Sequence, residues 1–91
     1  MKPRYTFKSS EPFFTKERLD LKNNTVREID LNEDKFLDLI FWMMNGYNDG
    51  DLEVEIIPAY EKGKGFVRDI KDISVYNNLM IITWTAIKPI K

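Results

Sequence analysis

The feature that most constrains this fold is one long helical signal, residues 33–45, flanked on both sides by segments that read as strands. Asn32 offers a cap, Glu33 and Asp34 favour the positive end of a helix dipole, and Gly46 lies just past the last periodic residue. Between them Phe36, Leu37, Ile40, Phe41, Met43 and Met44 form a broad apolar stripe, with Leu39 and Trp42 spilling beyond it. A helix apolar on nearly every side must be covered on nearly every side. A chain of 91 residues holds one modest core, so a sheet covers one flank of such a helix. The other flank is left to the terminal segments or to a partner, and both readings stand. The second makes Trp42, Met43 and Met44 the interface of a homodimer, or of a protein-interaction module, with Trp42 losing exposure on association.

The remaining segments supply the sheet. Tyr5 and Phe7 alternate in a first strand over residues 4–8. Ser10, Glu11 and Pro12 give a hydroxyl cap, an acid and a first-turn proline, which predicts a short helix over 11–19 packing Phe13, Phe14 or Leu19 on the core. Residues 21–24 read as a loop and 25–29 as a strand with β-branched Thr, Val and Ile. Asn48-Asp49-Gly50-Asp51 is a turn, after which Leu52, Val54 and Ile56 alternate with Glu53 and Glu55. Lys62-Gly63-Lys64-Gly65 predicts a hairpin turn, residues 66–76 a long strand bulged near Asp72, Asn77-Asn78 another turn, and 79–87 a last strand. With no repeat or linker, residues 1–91 read as a single α+β domain: a small curled sheet or barrel with one main helix.

Composition narrows the chemistry. There is no Cys and no His, which removes disulfides, thiolate chemistry, the commonest zinc ligand and the usual general base near neutral pH. No metal or cofactor is expected. Residues 1–7 contain no apolar signal core, and the apolar runs 39–44 and 79–82 are too short for a bilayer, so a cytoplasmic protein with no membrane partner is expected. The net charge of −1 divides into +2 for residues 1–30, −7 for 31–61 and +4 for 62–91. Two basic thirds that met would make a positive face suited to a small anion; otherwise the charges solvate the surface.

The loop Lys22-Asn23-Asn24-Thr25-Val26-Arg27 concentrates reactive groups. Thr25 and Arg27 lie two apart on a strand and share a face, and Lys22 enters the same mouth from the loop. An ammonium, a hydroxyl and a guanidinium converging there suit an oxyanion. Read by spacing alone, a Lys on a turn and an Arg on a strand are ordinary surface residues. Lys64 and Arg68 would add charge to that mouth. Glu53 and Glu55 share a strand face, but as the solvent side of a half-buried strand; Asp49, Asp51 and Glu53 lack the closing Glu of a calcium loop.

Phe14, Lys22-x-x-Thr25-x-Arg27, Gly50-Asp51-Leu52-x-Val54 and Gly65-Phe66-Val67-x-x-Ile70-x-x-Ile73-Ser74-Val75 together resemble the ASCH domain, a relative of the PUA barrel, across residues 5–85. The resemblance implies a module that binds a nucleotide or a short RNA or DNA through Lys22, Thr25 and Arg27, with Lys64, Arg68 and Lys71 adding charge. Tyr60, Phe66 or Tyr76 would stack on a base. Standalone copies are frequent in phage and bacterial accessory genomes, which implies a binder that sequesters a nucleotide signal. A small subset resembles N4-acetylcytidine amidohydrolase, where the loop Lys and Thr act with a Glu on the later strand. Here Lys71 takes that position, which removes the expected general base and favours binding over hydrolysis. If the chain is an enzyme, Lys22, Thr25 and Asp69 are its expected catalytic groups. The expected site has Lys22, Thr25 and Arg27 in one pocket and Asp69 and Lys71 on its opposite wall, with Lys22 and Arg27 removable without harm to the fold.

Overall fold

The computed structural model describes residues 2–59 and 64–85. The chain forms β1 (Arg4–Ser9), α1 (Phe13–Arg18), β2 (Asn24–Glu28), α2 (Asp34–Asn45), β3 (Glu53–Pro58), β4 (Phe66–Tyr76) and β5 (Leu79–Trp84). The order follows the sequence expectation, with ends displaced by a residue or two. β5 stops at Trp84; positions 86 and 87 of the expected strand, Lys62 and Gly63 of the expected hairpin turn, and Tyr60 lie outside the described residues.

Neither expected N-cap hydroxyl or amide closes its helix. At α1 the Glu11 carboxylate, not Ser10, accepts from the Thr15 N–H at 3.0 Å and the Thr15 hydroxyl at 2.6 Å. At α2 Glu33 occupies the cap position, and the Asn32 N–H instead donates to Asp30 at 2.9 Å, bending the entry. Gly46, at φ +94°, ends α2 in a conformation that L side chains rarely adopt.

All five strands form one sheet in the order β1-β3-β4-β5-β2. β1 and β3 run parallel, and every other pair is antiparallel. A parallel pair needs a long crossover, which α1, β2 and α2 provide. The 11-residue β4 is the spine: residues 66–69 pair with β3, and the remainder pairs with β5 after a register shift between Ile70 and Asp72. A bulge bends its strand and tightens the twist. The sheet curls into a half-barrel, α+β in class.

Alternation fills the concave side. Val54 and Ile56 of β3, Ile70 of β4, and Met80, Ile82 and Trp84 of β5 are fully buried, with Leu39 of α2 against them. Phe7 of β1 meets Phe36 of α2 edge to face, with ring centroids 5.7 Å apart. α1 commits only Phe14 of its expected core residues; Phe13 and Leu19 are exposed. Where β4 begins, Gly65 is required by space, because a Cβ there would run into the Ile56 carbonyl.

Two of the three residues expected at an interface also make contacts within the chain. Trp42 is half-buried and its indole N–H donates to the Tyr5 hydroxyl at 3.0 Å, while Met43 packs against the core. Of the expected trio only Met44 is exposed; the outer stripe is Leu37, Phe41 and Met44, one helical face at spacings of four and three. Trp42 therefore fixes α2 to β1 within the chain. Among the described residues no helix is long and apolar enough to cross a membrane.

Candidate functional site

The two edges of the half-barrel, β1 and β2, approach each other without a backbone ladder between them. Arg27 of β2 bridges the gap. One terminal nitrogen of its guanidinium donates to the Lys8 carbonyl, the other to Ser9 Oγ at 2.6 Å, and Nε donates to Thr25 Oγ1 at 2.9 Å. Further along β1, the Thr6 carbonyl accepts from Lys35 Nζ at 3.0 Å. Two carbonyls on the same side of an edge strand thus end on cations, one of the devices that blunt an open edge.

A cavity of about 490 Å³ opens beside this seam. Lys22, Thr25 and Arg27 line one side, and Lys8, Ser9, Phe13 and Glu17 line the other. The expected convergence of an ammonium, a hydroxyl and a guanidinium is present. Its opposite wall comes from β1 and α1, and neither Asp69 nor Lys71 borders the cavity.

Glu17 is the group that residue spacing did not single out. Phe14 and Glu17, three apart, share the buried face of α1, and Glu17 is 1% exposed. Ser9 Oγ donates to Glu17 Oε1 at 2.8 Å, and Lys22 Nζ donates to Oε2 at 3.1 Å. A buried carboxylate needs such partners, and removing one of a buried ion pair is costly. Lys22 is consequently a partner of a buried carboxylate as well as a ligand candidate, and its removal is expected to cost stability. The signal for Glu17 was in the sequence: an acid at an inward helical position, with a lysine five residues on.

Local structure positions Lys22. α1 ends with Asp20 at φ +58°, and the Leu21 and Lys22 N–H groups both return to the Lys16 carbonyl, at 3.0 and 3.2 Å. The Asp20 carboxylate accepts from the Trp84 indole at 3.1 Å and from Arg68 Nε at 3.3 Å, which ties the loop to β4 and β5. Lys22 is then laid back over α1, its ammonium 5.5 Å from the centre of the Phe13 ring.

The cavity holds three cations, Lys8, Lys22 and Arg27, against one anion, Glu17. Burial pulls the Arg27 guanidinium below its ordinary value, while Glu17 opposes that pull. Arginine keeps its charge at neutral pH regardless. All three cations come from the N-terminal third of the chain, so the expected meeting of two basic thirds is not what makes this positive site.

The other expected residues lie elsewhere. Asp69 pairs with Lys2 at 2.7 Å. Lys64 and Lys71 are exposed and outside the cavity. Arg68 is occupied by Asp20 and the Arg18 carbonyl. Phe66 is buried beside Phe14 and Trp84, with centroids 5.7 and 6.1 Å away, and the Arg68 guanidinium lies 4.7 Å over its ring, so no face is open to a base. Tyr76 is 69% exposed beside the β4–β5 turn but borders neither cavity of the seam. The aromatic at the mouth is Phe13, 53% exposed. Among the described residues no group of three or more acidic side chains is arranged to hold a metal ion.

Compared with known proteins, the chain matches no family model and no curated protein.

Proposed function

We propose that this protein is an ASCH-like, PUA-related module that binds a nucleotide or a short nucleic acid without transforming it, and so sequesters its ligand. The observation that carries the reading is the convergence of Lys22, Thr25 and Arg27 on one cavity of about 490 Å³ with Phe13 at its mouth. That volume is within the range of small-ligand sites. The excess of cations attracts phosphate, and the exposed ring offers a face for a base. The order of the strands and helices and the open half-barrel are compatible with a PUA-like sheet.

The test is mass spectrometry of the small molecules released when the purified protein is heat-denatured. A nucleotide in the eluate, bound again by the refolded chain and weakened by added salt, is the expected result. An eluate without nucleotides, together with no binding of added nucleotides at millimolar concentration, refutes the reading.

One observation favours a second reading, hydrolysis of an N4-acylated cytidine. The carboxylate that Lys71 displaces from β4 has a counterpart in Glu17, which bonds Lys22 in the same cavity as Thr25. Release of acetate and cytidine from N4-acetylcytidine, abolished by Thr25→Ala and by Glu17→Gln, would establish it in place of simple binding.

A further inference from the structure

A second cavity, of about 500 Å³, lies on the other side of Arg27. It shares Lys8 and Arg27 with the first and adds Thr6, Glu28, Glu33 and Lys35. Along β1 the two run consecutively: the second cavity takes positions 6 to 8 and the first takes 8 to 10. Four residue steps of extended chain give a groove of about 13 Å, with Lys8 at its middle. Each compartment on its own reaches the size that holds a small ligand. The groove is therefore two chambers in series that meet at Arg27 and Lys8, the two basic residues lining both.

Resting on the nucleotide-binding reading, we infer that the seam is built for an oligonucleotide of at least two nucleosides, with the bridging phosphodiester on Lys8 and Arg27. A mononucleotide fills one chamber and leaves the other to water. A ligand with one anion between two bulky neutral units matches two chambers that share their cations. Arg27 has five N–H donors and uses three within the protein, which leaves two for a phosphate. The chambers differ in character. The first carries Lys22, Thr25 and the exposed Phe13. In the second, Lys35 lies 4.4 Å from the centre of the Phe7 ring and 3.4 Å from Glu33, while Glu28 and Glu33 offer acceptors to amino or hydroxyl groups.

Charge alone predicts the opposite preference, and this makes the inference testable. A terminal phosphate carries nearly two negative charges at neutral pH, a bridging one carries a single charge. A merely cationic patch would hold the mononucleotide more tightly. The experiment is titration calorimetry on the full chain with AMP, CMP, GMP and UMP and with ApA, CpC, GpG and UpU, at constant ionic strength. The dinucleoside monophosphate of at least one base is expected to bind about tenfold more tightly than its mononucleotide. Lys35→Met removes the charge while keeping an unbranched apolar side chain, and is expected to cut that ratio about fivefold, with folding checked by circular dichroism. Ratios at or below one for all four bases, or a ratio untouched in folded Lys35→Met, overturn the two-chamber inference while leaving nucleotide binding in place. No binding of either series removes the nucleotide reading and this inference with it.

Discussion

Replacing Arg27 by alanine tests whether one side chain closes the half-barrel. The substitution removes three hydrogen bonds, two of them across the seam, and the contact of the guanidinium with the Phe7 ring, 5.3 Å from its centre. Hydrogen bonds to a charged group contribute about 1.5–3 kcal/mol each. The three do not add, because holding the guanidinium at the seam costs it part of its hydration, and burial lowers its pKa. Water can also enter the open cavity and satisfy the Lys8 carbonyl and the Thr25 hydroxyl. The net loss expected is about 2–4 kcal/mol. For a domain of this size that lowers Tm by roughly 10–25 °C. Urea denaturation gives the free energy, and amide exchange locates it, with faster exchange concentrated in β1 and β2. Arg27→Lys keeps the charge but not the planar fork, and should recover only part of the loss. A loss below about 0.5 kcal/mol for Arg27→Ala, or full recovery with lysine, would refute the clasp.

Burial raises the phenols of Tyr5 and Tyr47 above their ordinary value, against the lowering effect of hydrogen bonds with the Trp42 indole and the Ile73 N–H respectively. The folded chain then holds these protons more tightly than the unfolded chain. Their contribution is complete below about pH 10 and is lost as pH rises through the raised folded values. Urea midpoints taken from pH 8 upward should fall more steeply for the native chain than for Tyr47→Phe, and equal slopes would count against the assignment. Trp42→Ala should cost about 2–3 kcal/mol, because the ring packs on the core and bonds Tyr5. Phe41→Ser, on the exposed stripe, should stay within about 0.5 kcal/mol in the same urea assay at low protein concentration. The reverse ranking would mean that the outer stripe is the covered one.

The strands were legible because a half-buried sheet writes its period directly: Leu52, Val54 and Ile56 alternate with acids, and all three are buried. The long β4 was legible too, and its register shift between Ile70 and Asp72 falls where the bulge was expected. The orientation of α2 was not. Its sequence is apolar almost all round, so periodicity does not separate Phe36 and Leu39, which face the core, from Leu37 and Phe41, which do not. At the site, the shared face of Thr25 and Arg27 was legible from their two-residue spacing, and the structure brings both to one cavity with Lys22. Their opposite wall was not, because it depends on strand order. Asp69 lies on the central β4, whereas the strand facing β2 across the seam is β1, and no local signal sets that closure.

Strand order also explains why the site is at the seam. A half-barrel leaves two edges, and a bare edge exposes carbonyls and amides that invite another chain. Here the β1 carbonyls of Thr6 and Lys8 are met by Lys35 and Arg27. Side chains on carbonyls hold the edges apart where a ladder would join them, so closure itself leaves a groove. Cations that blunt an edge have more donors than the carbonyls can use, and Arg27 and Lys35 both line that groove. The same guanidinium thus spans the seam and lines the groove, so a substitution there perturbs closure and the proposed binding together. Lys22 is coupled to the fold through Glu17, one end of the groove, and Lys35 through Thr6, the other. The proposed site is therefore read as a ratio of affinities for long against short ligands, in which a loss common to both cancels.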